Sequence, residues 1–148
     1  MSNSGSRHKA REAALQILYS YDLASVKTLP AHQFADDLTS HFDHFKVPKE
    51  VREFAAQLVA GTLRDIQVID ETLEKHATNW KVTRMAYIDR ALLRMAVFEL
   101  LNFPDIPSSV TIDEAIELAK DFGAPETPAF INGILDSIKE EKKSTTCA

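Results

Sequence analysis

The sequence predicts an all-α fold of six to seven helices, arranged in two packed three-helix-type bundles. In nearly every segment the apolar residues recur at intervals of three and four, which is the spacing of one buried helical face. The long segments lack the two-residue alternation of a half-buried strand. With only 4 glycines and 6 prolines among 148 residues, the chain also lacks the many turns of a β-sandwich.

The first two helices are predicted from their apolar faces. One runs from Ser6, whose hydroxyl suits the capping position, to Ala24, and its apolar side chains form a single stripe. Residues 25–30 form a connector. A second helix follows from Ala31 to about Phe45, with phenylalanine and leucine side chains along one face.

The third helix is expected to be long. Pro48 suits the first position of a helix, because an amide there has no intrahelical partner to lose. From Val51 to Leu73 the apolar residues keep one helical phase. We therefore expect this helix to continue, with a bend, through Gly61.

Local signals delimit the remaining helices. One covers about Arg84 to Asn102 and ends before a pair of prolines that no helix interior accommodates. Thr111 with Glu114 matches a capping box at the start of the next, and Gly123 supplies a left-handed position at its end. The dipeptide Thr127–Pro128 marks the start of the last helix.

These elements predict one domain that spans residues 1–148. We expect an N-terminal bundle at about residues 6–78, a C-terminal bundle at about residues 79–142 and a frayed polar tail at residues 143–148. The sequence contains no stretch of ~18 apolar residues and no apolar core of a secretion signal. It therefore predicts a cytoplasmic protein that does not span a membrane.

The charge distribution is uneven. The net charge of −5 argues against a general nucleic-acid binder. Among residues 1–11, however, every charged residue is basic. This end of the chain can therefore attract a polyanion that the acidic remainder repels. The alternative is that these residues are simply the solvated start of a helix.

Catalytic and cofactor motifs are missing from the sequence. It has neither a glycine-rich phosphate loop nor a GxSxG motif, and its one cysteine, Cys147, excludes an internal disulfide. His41, His44 and Asp37 lie at helical spacing, but such spacings are common on solvated helix faces, so we assign no metal site. The sequence thus predicts a binding module without a cofactor rather than an enzyme.

Four segments together resemble the NusB transcription antitermination family. The similarity extends from about residue 6 to residue 139, and the order and spacing of the segments match the family. The segments are RHKAREAALQILYSYDL, WKVTRMAYIDRALLRMAVFELL, VTIDEAIELAKDFG and FINGILDSIK.

The resemblance implies a function. Members of this family are all-helical proteins that bind the boxA element of nascent RNA, mainly in the leaders of ribosomal RNA operons. They act with the ribosomal protein NusE and help to assemble an antitermination complex on RNA polymerase, without catalysing a reaction. Some members form homodimers.

The resemblance also implies a basic RNA contact. The arginine-rich N-terminal stretch of the family corresponds here to Arg7, His8, Lys9 and Arg11. This chain departs from the richest form of that stretch, because His8 is largely neutral near pH 7 and Lys9 lacks the planar fork of arginine. We expect modest RNA affinity in the absence of NusE.

A second RNA contact is implied near the start of the last helix. The corresponding residues are Glu126 and Phe130, and Phe130 is expected either to stack on an unpaired base or to lie in the helical core. Tyr19 and Asp89 correspond to family positions implicated in RNA or partner contact. If the basic stretch holds phosphates while this second segment reads a base, both must share one face of the protein.

Two other functions remain open at the level of sequence. Some RNA cytosine methyltransferases carry a NusB-like N-terminal domain, but this sequence has no glycine-rich cofactor loop and no following methyltransferase domain. The other alternative is a helical protein–protein adaptor or homodimer that makes no direct RNA contact.

Overall fold

The computed structural model describes residues 4–24 and 31–147, and the regular elements within these residues are all helical. Two 3-10 turns, Lys49–Val51 and Val82–Arg84, accompany the α-helices. The predicted all-α class and the predicted number of helices are confirmed for these residues. The predicted connector at residues 25–30 lies outside them. The helices are α1 (Ser4–Leu23), α2 (Ala31–His44), α3 (Arg52–Arg64), α4 (Ile66–His76), α5 (Tyr87–Asn102), α6 (Ser108–Phe122) and α7 (Thr127–Cys147).

The chain divides into two compact units, residues 1–64 and residues 65–148. In the first unit α1 packs mainly against α3 and also contacts α2. In the second unit α6 packs against α5 and α7, and α4 packs against the same two helices. We expected the division near residue 78. It falls earlier because α4 packs within the second unit and buries Ile69 and Leu73 completely or nearly so.

The long third helix of the prediction is two helices. It continues through Gly61 as expected, but Asp65 leaves the helical conformation with φ −100° and ψ 18°. The guanidinium of Arg94 in α5 then binds both carboxylate oxygens of Asp70 in α4, each at 2.8 Å. One non-helical residue shifts the apolar phase too little to be seen in the sequence, so periodicity alone missed this break.

The start of α6 differs from the prediction, whereas its end at Phe122, just before Gly123, is confirmed and only the conformation of Gly123 differs. The helix begins at Ser108 after Pro107, so Thr111 lies inside it, and the predicted capping box is wrong. The Thr111 hydroxyl instead donates a hydrogen bond to the buried carboxylate of Glu99 at 2.7 Å. Gly123 follows the helix with φ −96° and ψ −178°, which is extended rather than left-handed.

The terminal helices extend further than expected. Ser6 lies inside α1, because the helix already begins at Ser4, and it is therefore not the cap. The last helix starts at Thr127 as predicted but extends to Cys147, through most of the segment that we expected to be frayed. Glutamate and lysine dominate residues 139–143, and both favour helix. Among the described helices, none combines the length and the apolar character that crossing a bilayer requires.

Candidate nucleic-acid interface

The basic residues at the start of α1 include one that is buried. Arg7 and Arg11 lie one helical turn apart, and their guanidinium carbons lie 5.1 and 5.2 Å from the centre of the Phe54 ring in α3. Arg11 is only 2% exposed. The packing of α1 against α3 encloses its side chain, so an RNA contact of Arg11 stays a prediction that this burial does not favour.

Three of the predicted basic residues remain accessible to different degrees. Lys9 is exposed, whereas Arg7 and His8 are half-buried. The Phe54 ring orients the guanidinium of Arg7 by a cation–π contact, which limits the conformations that it samples. Tyr19, further along α1, is half-buried, and its role as a partner contact stays a prediction.

His41 and His44 belong to an aromatic cluster rather than to a set of metal ligands. His41 stacks on Phe45 with ring centres 6.1 Å apart, and His44 meets the same ring edge-on at 5.1 Å. The Tyr21 hydroxyl donates a hydrogen bond to Asp37 at 3.0 Å. Burial, together with this hydrogen bond, raises the pKa of Tyr21. Within residues 4–24 and 31–147, no three histidine, cysteine or acidic side chains converge on a position for a metal ion.

A pocket of about 330 Å³ in the second unit brings together three predicted contact residues. Asp89 of α5, Glu126 from the loop before α7 and Phe130 of α7 all line it. Met85 and Ala86 line its apolar part. Residues that are 41 positions apart in the chain, Asp89 and Phe130, thus contribute to one concave surface.

Phe130 is not a core residue of α7. It is half-buried, and its ring meets that of Trp80 nearly edge-to-face, with centres 5.3 Å apart and planes inclined by 71°. Trp80 also lines the pocket and is 55% exposed. The alternative that Phe130 serves only the core is therefore not supported, and two aromatic faces border the pocket.

Hydrogen bonds hold one carboxylate of the pocket in place. The Thr127 hydroxyl donates to Asp89 Oδ1 at 2.9 Å and accepts the backbone N–H of Ala124 at 3.0 Å. A Cβ atom at Gly123 would come within 2.7–2.8 Å of three side-chain atoms of Thr127. Gly123 is therefore needed for close approach to Thr127, not for a left-handed conformation.

The connector that carries Trp80 is anchored on both sides. The N–H of Val82 donates to Glu74 of α4 at 3.4 Å, and the carbonyl of Val82 accepts from Arg90 of α5 at 3.2 Å. The backbone N–H of Trp80 also donates to the backbone carbonyl of Ala77 at 2.9 Å. These bonds give an exposed tryptophan a defined position.

Sequence reasoning missed Trp80, Lys81 and Arg84 as site residues. A wider groove of about 630 Å³ adjoins the pocket, and Trp80 and Arg84 line both of them. Lys81 lines the groove, and both basic side chains are exposed. The signal was present in the segment WKVTR, in which one aromatic residue is followed by two basic ones before α5. Our expectation that this region and the basic start of α1 share one face stays a prediction.

Comparisons with known proteins identify the family. Residues 8–140 match the model of the NusB family. The transcription antitermination protein NusB of Geotalea daltonii is 48% identical over 138 residues, which cover 90% of this chain and 93% of that protein.

Two solved structures are similar to this chain. NusB of T. maritima aligns with a TM-score of 0.78 and 31% identity over 91% of each chain. A crystal structure of antitermination factors NusB and NusE in complex with dsRNA aligns with a TM-score of 0.79 and 27% identity, over 95% of this chain and 99% of that one. Sequence and fold agree over nearly the full length, and the chain belongs to the NusB family.

Proposed function

We propose that this chain is a transcription antitermination factor that binds the boxA element of ribosomal RNA operon leaders together with NusE. In this role it helps to assemble an antitermination complex on RNA polymerase, and it acts by binding rather than by catalysis. The observation that carries the proposal is the pocket in which Asp89, Glu126 and Phe130 meet. The solved complex of NusB and NusE with dsRNA supports an RNA ligand and a NusE partner.

The two accessible regions supply different parts of RNA recognition. Arg7 and Lys9 carry the charge that holds phosphates, which gives affinity without sequence preference. Phe130 offers an aromatic face on which an unpaired base stacks, an interaction worth about 1–3 kcal/mol. Glu126 is exposed at the rim of the pocket and accepts hydrogen bonds from base edges, so it contributes to selectivity rather than to phosphate binding.

NusE is proposed to dock on an acidic surface of the second unit. Ribosomal proteins are basic, and complementary charge guides association. Four carboxylates between residues 99 and 126 are exposed on or beside α6: Asp105, Asp113, Glu117 and Asp121. Neutralising them in pairs should slow NusE association, and an unchanged association rate would remove this surface from consideration.

A gel shift tests the proposal directly. Purified chain is titrated into a ribosomal leader RNA that contains boxA, with and without cognate NusE, and into a control RNA with a scrambled boxA. We expect a shift with the boxA RNA that NusE strengthens and that the scrambled RNA does not reproduce. Equal shifts with both RNAs, or none with either, would overturn the proposal.

Light scattering after size-exclusion chromatography distinguishes the proposed factor from an adaptor. We expect the proposed factor to form a complex of defined mass with NusE and boxA RNA. In the cell this complex would form in the cytoplasm, where transcripts are made. A stable homodimer that binds NusE and leaves the RNA unbound would instead favour the adaptor function.

A further inference from the structure

We propose that Trp80, Arg84 and Lys81 extend the RNA site, which then accommodates one unpaired base and the phosphate beside it. This inference rests on the proposed function, because it assigns a ligand to part of the same site. The base is one that carries an exocyclic amino group. The exposure of Trp80, the geometry of the Trp80 and Phe130 rings and the charges around them support this assignment.

The exposure of Trp80 indicates a ligand surface. Burying a tryptophan ring is strongly favourable, yet Trp80 is 55% exposed. Hydrogen bonds nevertheless anchor the connector that carries it. An exposed aromatic face in a defined position loses little entropy when a planar group stacks on it. Trp80 therefore has the properties of a stacking platform.

The ring geometry suits a single base. Trp80 and Phe130 are inclined by 71°, so they form a corner rather than a closed stack. A base that stacks on one ring meets the other ring with its edge, and edge-to-face contact is a favourable aromatic geometry. The two rings need not separate to admit it. The pocket of about 330 Å³ lies at the small end of the range for ligand sites, which fits one nucleobase.

The carboxylates of the pocket determine which bases fit. Asp89 and Glu126 offer hydrogen-bond acceptors, and Thr127 holds the Asp89 carboxylate in place. Adenine, cytosine and guanine present amino N–H groups to such acceptors. Uracil has no amino group, and its one edge donor, the N3–H, lies between two carbonyl oxygens that the carboxylates repel. We therefore infer selection against uracil at this position.

Two exposed basic side chains beside the pocket, those of Arg84 and Lys81, are assigned to bind the RNA backbone. Arg84 lines both the pocket and the groove, and Lys81 lines the groove. Glu74 also lines the groove, where its carboxylate accepts the N–H of Val82, and it repels a phosphate from its own side. The phosphate contact is therefore assigned to Arg84 and Lys81.

The fluorescence of Trp80 reports directly on ligand binding, because Trp80 is the single tryptophan of the chain. Full-length protein is titrated at low salt with oligouridine pentamers in which the central base is uracil, adenine, cytosine or guanine. Stacking should quench the tryptophan emission with the three amino-bearing bases, and quenching by the all-uridine pentamer should need at least severalfold more RNA. Unchanged emission with every pentamer would overturn the stacking assignment.

Substitutions separate this inference from the proposed function. Trp80→Leu should weaken binding to boxA RNA roughly tenfold, whereas Tyr87→Leu should not, because Tyr87 is a similarly exposed aromatic residue outside the pocket. Arg84→Gln and Lys81→Gln should each reduce the slope of log K against log salt by about 0.7. Circular dichroism checks the fold of each variant.

The outcomes differ for the two claims. If the wild-type protein binds boxA RNA and Trp80→Leu binds equally well, the inference fails and the proposed function stands. If quenching is the same for uracil and for the amino-bearing bases, the selectivity is wrong. If the wild-type protein binds no boxA RNA with NusE present, the proposed function itself fails.

Discussion

Arg7 and Arg11 show how two identical residues acquire different roles one helical turn apart. Both contact the ring of Phe54, but Arg7 is half-buried and Arg11 is almost completely enclosed. A buried arginine keeps its charge, so its contacts must replace the water that it lost. Arg11 therefore contributes to the stability of the first unit, and Arg7 keeps the accessibility that phosphate binding needs.

Substitution of the two arginines should separate stability from binding. Arg11→Met preserves length but removes the cation over Phe54, and we expect the free energy of unfolding to fall by about 2 kcal/mol. Arg7→Gln should leave stability within about 1 kcal/mol of wild type and weaken the binding of all RNAs alike. Urea denaturation and filter binding measure the two effects. Equal stability losses would contradict the division.

The turn between α6 and α7 shows how an element positions the site. Gly123 lets the chain pass close to Thr127, and the Thr127 hydroxyl joins the N–H of Ala124 to the carboxylate of Asp89. The start of α7 is thereby fixed relative to α5, and Phe130 lies one turn into α7. Local backbone packing and the geometry of the pocket are therefore coupled.

Gly123→Ala tests this coupling, and Gly133→Ala is its matched control. The new methyl group at Gly123 would displace Thr127, so we expect lower stability and weaker RNA binding. A Cβ at Gly133, within α7, meets nothing within 4 Å. Alanine there should stabilise the helix by about 0.5–1 kcal/mol. Thermal melts and gel shifts provide the measurements, and a neutral effect at Gly123 would refute the role assigned to it.

At the scale of the whole molecule, ion pairs join distant segments of the second unit. Glu141 of α7 contacts Lys75 of α4 at 2.7 Å and also binds the ring of His76, which lies 2.7 Å from the Ser137 hydroxyl. The Lys75 ammonium, followed by His76, lowers the pKa of Glu141. Helices that are far apart in the chain thus share a titratable contact.

The lowered pKa of Glu141 predicts a loss of stability in acid. A carboxyl group whose pKa is lower in the folded state contributes stability above its unfolded pKa, near 4.3, and loses it as the pH falls through the folded pKa. Glu141→Gln should therefore reduce the dependence of the unfolding free energy on pH below about pH 4.3. Unfolding curves between neutral pH and acid measure it, and an unchanged dependence would contradict this contribution.

RNA binding should also depend on salt, because its phosphate contacts release counterions. With three or four contacts to single-stranded RNA, log K should fall against log salt with a slope of roughly −2 to −3. Filter binding between 50 and 200 mM salt tests this, and we expect a loss on the order of 20- to 60-fold. A flat response would exclude phosphate contacts as a source of affinity.

The helices were predictable because their signals are local. Each signal affects only residues a few positions away in the chain. This holds for the periodic apolar residues, for the prolines after Asn102 and for the helix start at Thr127, and the structure has helices where these signals predict them. The prediction failed where local signals competed with packing. Thr111 resembled a cap but pairs with Glu99, and the break at Asp65 lies within an almost continuous apolar phase.

The candidate site was predictable only through resemblance to a family, and then only in part. Asp89, Glu126 and Phe130 were identified in this way, and they do line one pocket. Trp80 and Arg84 were not identified, because nothing in their own segment states which helix they approach. Their relation to Phe130 depends on how α7 packs against its neighbours in the second unit.

By itself, the sequence determined the helical class, the approximate positions of most helices and the acidic character of the chain, since these depend on composition and on neighbours along the backbone. Only the tertiary structure decided that Arg11 is buried, that α4 belongs to the second unit and that Trp80 borders the same pocket as Phe130. Such properties arise from contacts between residues far apart in the chain, and the pattern within any single segment does not encode them.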